Sequence, residues 1–346
     1  MDQLIVNTDC LEWLSQRPSA SVNCIVTSPP YWGLRDYGAT SLIWASDTLS
    51  ANNAGHPAPC CVHSWQCSTG SQDQAGTPNE NISAFCLGCG AWHGPLGLEP
   101  TPELYVQHLT AIFRECRRAL TPDGTLWLNL GDCYARSPAK GGSGTPNGRN
   151  GYGEGYAGAF RPIPQGLKPK DLIGIPWRIA FALQADGWYL RSDVIWEKPD
   201  VLPESVKDRP TKSHEYLFLL TKSPRYYYDA DAVREIGADG GLRNKRTIWR
   251  LPKARLNAQE FGIDHVQHFA MFPPELALPC VLAGCPEGGV VLDPFAGSAS
   301  TGVTCLRAAG TKSVYFIGLE INPGYAELGK ARLAFEAAKT TGWKEG

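Results

Sequence analysis

The sequence contains no run of about 18 uncharged apolar residues, so it lacks the pattern of a membrane-spanning helix. Its opening residues, MDQLIVNTDC, have no basic region followed by a long apolar stretch, and they do not read as a secretory leader. A cytoplasmic, reducing setting is the expectation. No internal repeat of fixed period is visible. Nor is there a large excess of either charge: the formal net charge is −2, which does not by itself point to nucleic acid. The charge is unevenly placed, however, with −6 over residues 1–100 and +6 over residues 207–255. The basic stretch, with Arg243, Lys245, Arg246 and Arg250, is a candidate phosphate-contacting surface.

A chain of 346 residues, 43% hydrophobic and 10% aromatic, can bury a sizeable core. LIVNTDC, LEWLSQRP and VNCIVTSPPYW read as strand, short helix and strand. From about Ala39 to Pro95 the pattern dissolves into Ser, Asn, Gly, Cys and His, as an inserted module would. Thr101 then caps a helix through TPELYVQHLTAIFRECRRAL, followed by the turn TPDG and the strand TLWLNL. A Gly-rich stretch from about Ser137 to Lys170 reads as a loop. Beyond it come a helix at IPWRIAFALQADG and strands at YLRSDVIWEKP, HEYLFLLTKS, GGVVLD and SVYFIGLEI. This alternation indicates an α/β fold with a doubly wound, mostly parallel sheet of the Rossmann-like type. The catalytic domain is expected over 1–38 and 101–346, with the Cys/His module inserted at 39–100.

Two passages carry chemistry. The first runs from the strand VVLDPF into the small-residue turn AGSASTG and a helix, and the next strand ends in Glu320. Small residues let backbone approach a ligand closely, and an acid at the following strand end can accept hydrogen bonds from two ribose hydroxyls. A nucleoside cofactor fits this unit.

The second is TSPPYWG at the carboxyl end of a strand. Its two prolines restrict φ and remove two backbone donors, which makes a rigid turn of Ser28, Pro29, Pro30 and Tyr31. An exocyclic amino group is a poor nucleophile because its lone pair is delocalised into the ring. Acceptors on its two hydrogens, here Ser28 Oγ and the Pro29 carbonyl, would draw the nitrogen toward tetrahedral geometry and stabilise the positive charge that develops. Tyr31 can stack on a base held outside the duplex.

SPPY followed far downstream by DPFAGSAST resembles the S-adenosylmethionine-dependent DNA amino-methyltransferases that act on N4 of cytosine or N6 of adenine. The order, catalytic motif first and cofactor motif last, resembles their permuted β-class over most of residues 1–38 and 101–335. The resemblance implies a methyltransferase fold, S-adenosylmethionine as cofactor and double-stranded DNA as substrate. It further implies a prokaryotic or phage origin, with a restriction enzyme as possible companion. Asp293, Phe295, Ala296, Gly297, Ser298 and Glu320 match its cofactor contacts. His268, Phe269, Ala270 and Phe272, in HFAMFPPELA, match the segment over the methionine part, and Asp9 the strand end that meets adenine. Lys198, Pro199 and Glu215 also stand in the family's usual places. SPPY in this family is associated more often with cytosine N4, and DPPY with adenine N6. Ala299 and Ser300 depart from the usual DPFxGSGTT, and a methyl group in a left-handed position there costs roughly 1 kcal/mol. Enzymes acting on RNA or on protein glutamine share parts of this design, but the latter carry Asn where this chain has Ser28. A chain that has lost catalysis and persists as a zinc-containing DNA-binding module is the competing reading of another class.

The 12 cysteines, in a reducing setting, point to metal rather than disulfides where they cluster. Cys86-x-x-Cys89-Gly90 has the spacing of a metal knuckle, and Cys61-x-His63 offers a second pair, with Cys60, Cys67 and His93 as alternates. Structural zinc held by Cys61, His63, Cys86 and Cys89 is the expectation. Cys24, Cys280 and Cys305, set in apolar runs, read as small core residues. Arg149 and Tyr152 of the Gly-rich loop are candidates for insertion near a flipped base.

Overall fold

The computed structural model describes residues 3–33, 41–44, 65–67, 84–135, 163, 166–263 and 271–341. In chain order the strands are β1 (Gln3–Asn7), β2 (Val22–Thr27), β3 (Leu42–Trp44), β4 (Trp65–Cys67), β5 (Ala84–Cys86), β6 (Trp92–Gly94), β7 (Leu120–Leu130), β8 (Tyr189–Glu197), β9 (His214–Thr221), β10 (Glu235–Ile236), β11 (Leu242–Arg243), β12 (Ile248–Arg250), β13 (Val290–Asp293) and β14 (Tyr315–Glu320). The α-helices are α1 (Cys10–Ser15), α2 (Pro102–Ala119), α3 (Ile175–Ala185), α4 (Pro274–Gly284), α5 (Ser300–Ala308) and α6 (Pro323–Thr341). None of the described helices is long and apolar enough to cross a membrane. The chain divides into two compact units, one of residues 1–29, 112–131 and 183–346, the other of 30–111 and 132–182.

The first unit is built on a sheet ordered β1-β14-β13-β2-β7-β9-β8-β12. Only β9 runs against its neighbours β7 and β8; every other pairing is parallel. The expected doubly wound, mostly parallel sheet is therefore the observed one. Strands covered on both faces must be apolar on both faces, and Val22, Cys24, Ile25 and Val26 of β2 are all buried. Cys24, Cys280 and Cys305 are core residues as expected, and burial pushes the Cys24 thiol up to about 12. The TPDG segment lies inside β7, but the pairing with β2 jumps from Val22↔Leu120 to Cys24↔Thr125, so residues 121–124 bulge out of the ladder.

From β13 the chain passes through α5 to β14 on one side, whereas β2 leads to β7 on the other. The winding thus reverses between β13 and β2, which is where open α/β sheets leave a crevice at their carboxyl ends. Close packing shapes this region. A Cβ on Gly302 of α5 would lie 2.6 Å from the Phe316 ring and 2.8 Å from Leu333, so glycine is what brings α5 down onto β14 and α6.

In the second unit, Thr101 Oγ1 accepts from Leu104 N at 3.2 Å, the helix cap read from the sequence. The stretch that shows no periodicity contains an antiparallel sheet ordered β3-β6-β5-β4. Its strands have three residues each, too short for an alternating pattern to register. Cys86 and Cys89 bracket the turn between β5 and β6, where Gly90 N donates to Cys86 O at 2.9 Å and Cys86 N to Ala91 O at 2.8 Å. Cys61 and His63 lie outside the described residues. Among the described residues no group of three or more His, Cys, Asp or Glu is placed to hold a metal ion.

Candidate active site

At the reversal of the sheet, the last residue of β13 reaches across to the last residue of β2. Asp293 is fully buried and accepts from Thr27 Oγ1 at 2.6 Å, Thr301 Oγ1 at 2.7 Å and Phe295 N at 3.1 Å. Burial pushes its carboxyl up to about 6, against the three hydrogen bonds, which pull it down. Thr27 immediately precedes Ser28, and Thr301 lies in the first turn of α5. One carboxylate therefore ties the start of the SPPY turn to the helix that follows the AGSAS turn.

That second turn is held from α6. Arg332 is buried, and its Nη1 donates to Ser298 O at 2.9 Å, Ser300 Oγ at 3.2 Å and Ser298 Oγ at 3.3 Å. Three acceptors offset the cost of taking a guanidinium out of water. Between these serines Ala299 sits at φ 62°, ψ 39°, the left-handed conformation anticipated from its place in the motif. Gly297, at φ 51°, donates its N–H to Glu320 Oε2 at 2.8 Å, and Asn322 N donates to Glu320 Oε1 at 2.8 Å. Desolvation raises the Glu320 carboxyl to about 7. Each of its oxygens keeps a further lone pair, so two hydroxyls of a ribose can still be accommodated.

Asp9 follows β1 at the same edge, beside β14. It is the N-cap of α1, with Oδ1 accepting from Glu12 N at 2.9 Å. Phe272 is buried just before α4, while Phe295 is half-buried with its ring edge-on to Phe113 at 6.5 Å. His268, Phe269 and Ala270 lie outside the described residues, as do Arg149 and Tyr152. Ser28 is half-buried and Pro29 buried at the end of β2. Further along the carboxyl edge, Lys198 pairs with Glu215 and lies 4.1 Å from the Trp196 ring centroid.

Pro30 and Tyr31, in the second unit, are both partly exposed. Of the basic candidates, Arg243 and Arg246 share Glu235 as partner, and Lys245 lies 5.0 Å over the Trp249 ring. Arg246 and Arg250 nevertheless keep 69% and 70% of their side chains exposed.

Sequence reasoning brought Asp293, Gly297, Ser298, Glu320 and Ser28 to one edge but missed the residues that fix them. Thr27 and Thr301 flank the two motifs as hydroxyls on either side of one acid, a signal present in TSPP and SAST. Arg332 gave no such signal, because it arrives from a helix, 34 residues beyond Ser298 and 32 beyond Ser300.

A family model described as DNA methylase, of the N6 and N4 type, matches residues 22–331. The chain is 44% identical over 329 residues to the type II methyltransferase M.Cfr9I of Citrobacter freundii, covering 95% of this chain and 86% of that protein. It is 42% identical over 326 residues to the type II methyltransferase M.XycI of Xanthomonas campestris pv. cyanopsidis, covering 94% and 85%. Among solved structures, the PvuII DNA methyltransferase, described as cytosine-N4-specific, shares the fold with a TM-score of 0.58 at 16% identity, over 96% of this chain and 86% of that one.

A raised carboxyl favours the folded state when protonated, and that contribution is lost as pH rises from the ordinary aspartate value toward about 6. Asp293→Asn removes this titration. Between pH 4.5 and 7.5, urea denaturation should therefore show the wild type losing on the order of 2 kcal/mol relative to Asp293→Asn. A difference that stays constant across that range would refute a buried, ionisable Asp293.

Proposed function

The chain belongs to the N6/N4 DNA methylase family, and on that premise we propose that it transfers a methyl group from S-adenosylmethionine to N4 of cytosine in double-stranded DNA. The observation that carries the reading is the placement of Ser28 and Pro29 at the end of β2, one strand from the Asp293–Ser298 turn and two from Glu320. Acceptors for an amino group and acceptors for a ribose then share one crevice.

When bound, S-adenosylmethionine would supply an electrophilic methyl group to the amino nitrogen, with its thioether as leaving group and the surplus proton passing to water. Ser28 Oγ and the Pro29 carbonyl accept the two amino hydrogens, which localises the nitrogen lone pair and stabilises the charge that appears on it. Tyr31 stacks on the extrahelical base, and Glu320 accepts from the ribose. Arg332 and Gly297 shape the turn that would hold the methionine part. The choice of cytosine over adenine follows Ser28, since SPPY resembles the N4-acting members. Arg246 and Arg250 are our choice for phosphate contacts. A companion restriction endonuclease is the partner this activity would protect against.

The insertion is proposed to hold a structural zinc ion. Cys86 and Cys89 supply one half of a tetrahedral set on a hairpin knuckle, and pairing of Trp65 with Cys86 brings the start of β4 to the same end of the sheet. His63 and Cys61 precede Trp65 by two and four positions in the sequence. No step of methyl transfer passes through this ion.

Nucleoside mass spectrometry of DNA incubated with the protein and labelled S-adenosylmethionine should yield labelled N4-methylcytosine, lost in Ser28→Ala and lowered at least tenfold in Tyr31→Ala. Labelled N6-methyladenine would overturn the base, and no label the activity. Cofactor affinity should be flat above about pH 7 and weaken below it, by up to roughly tenfold per unit, because protonation turns one of the two accepting oxygens of Glu320 into a donor. Calorimetric titration from pH 6 to 8.5 checks this, and an equally steep slope in Glu320→Gln would assign the dependence elsewhere. Elemental analysis should find about one zinc per chain, absent in the Cys86→Ser, Cys89→Ser double variant. A metal-free wild type, purified without chelator, removes the zinc reading.

A further inference from the structure

The second half of the SPPY turn is held within its own unit by groups that have no place in the chemistry above. The Pro30 carbonyl accepts from the Tyr105 hydroxyl at 2.7 Å, and Tyr105 is fully buried. Trp32 Nε1 donates to Glu99 O at 3.0 Å, Cys133 Sγ to Trp32 O at 3.5 Å, and Gly33 N to Gly97 O at 2.9 Å. Gly97 lies against the turn so closely that a Cβ there would stand 3.3 Å from Pro30 Cβ, Pro30 O and Tyr31 O, and its φ of +91° also selects glycine. The backbone on both sides of Tyr31 is therefore tethered.

Two of these tethers, from Trp32 and from Gly33 through Gly97, lead to Glu99. One oxygen of its buried carboxylate accepts from Gly97 N at 2.8 Å, and the other meets His108 Nδ1 at 2.9 Å. His108 is itself buried, stacked on Trp44 at 4.2 Å with an interplanar angle of 16° and next to Trp92 at 5.5 Å. Trp44 belongs to β3 and Trp92 to β6, the paired strands of the insertion. A carboxylate and an imidazole taken out of water impose a desolvation cost that apolar residues of similar volume would avoid. Here they set the position of Gly97 and the Glu99 carbonyl, and through these the backbone at Tyr31.

We propose that Tyr105, Glu99 and His108 are positioning residues for methyl transfer, which lock the Tyr31 backbone in the geometry that receives the target base. The insertion sheet thereby acts as a brace for the catalytic turn, and the inference rests on the function proposed above. Misplacement of a reacting group by about 1 Å lowers a rate on the order of a hundredfold, so loss of one tether should appear in the transfer step.

The test uses the full chain, labelled S-adenosylmethionine and unmethylated genomic DNA, with Tyr105→Phe, Glu99→Gln and Glu99→Ala. In Tyr105→Phe, transfer from the preformed ternary complex should slow by roughly tenfold or more, with cofactor and DNA affinities within about twofold of wild type. Glu99→Gln, which can still accept from Gly97 and meet His108, should keep more of the rate than Glu99→Ala. Amide exchange in peptides spanning residues 27–33 should quicken in Tyr105→Phe while the remaining strands keep their protection. A wild-type transfer rate in Tyr105→Phe overturns the proposal, as does a loss of rate accompanied by an equal loss of cofactor affinity. If the wild type transfers no methyl, the enzymatic reading falls; unchanged exchange at 27–33 then overturns the brace independently of any substrate.

Discussion

The buried carboxylate of Asp293 is the constraint on which the crevice depends. A carboxylate inside a parallel sheet is costly unless its lone pairs are used, and here they are used by hydroxyls from two different motifs, Thr27 and Thr301. The partners explain why the acid is tolerated, and the acid explains why they sit where they do. Without it, the end of β2 and the start of α5 would be related by the pairing of β13 with β2, at Val291↔Cys24 and Leu292↔Ile25, and by the bond from Thr301 Oγ1 to Val26 O at 3.2 Å. Side-chain hydrogen bonds extend that register beyond the last backbone pair, to the edge where Ser28 begins.

The cofactor turn shows how a departure from the family's glycine is absorbed. Ala299 holds a left-handed conformation that a methyl group disfavours, and it is fully buried. Its methyl faces Gly329 of α6, where a Cβ would stand in ordinary van der Waals contact with it at 3.4 Å. Arg332, one turn further along α6, pins the serines on either side. Strain at one residue is thus met by contacts from a single helix face, three residues apart. The preserved turn accounts for a chain that departs from the usual motif yet keeps Gly297 bonded to Glu320.

What the sequence revealed and what it concealed divide along a physical line. Long apolar runs such as VNCIV and VVLD announced buried parallel strands, and motifs at strand ends announced the crevice, because both signals are local. The insertion sheet was illegible: three-residue strands carry no period, and the pairing of Trp44 with Trp92 joins residues far apart in sequence. The TPDG segment was read as a turn and is a bulge within β7, since local turn chemistry is compatible with either. Asp9, expected from the resemblance to meet adenine, is the cap of α1, a use that the pattern did not reveal. Arg332 and His108 were silent because their partners lie on other elements.

The catalytic turn itself is secured in two different ways along four residues. Before Ser28, the anchor is a buried acid shared with the cofactor helix. After Pro29, it is a tyrosine hydroxyl and a Glu–His pair that lead back to the insertion. The two prolines restrict φ, so few backbone torsions are left free within the turn. Rigidity of this kind suits a reaction in which the protein supplies hydrogen-bond acceptors and no covalent chemistry. The acceptors must already stand where charge will develop, since reorganising them during the reaction would return the energy they contribute. In the function proposed above, Ser28 Oγ and the Pro29 carbonyl are those acceptors. The proposed brace gives the insertion a bearing on the backbone around Tyr31.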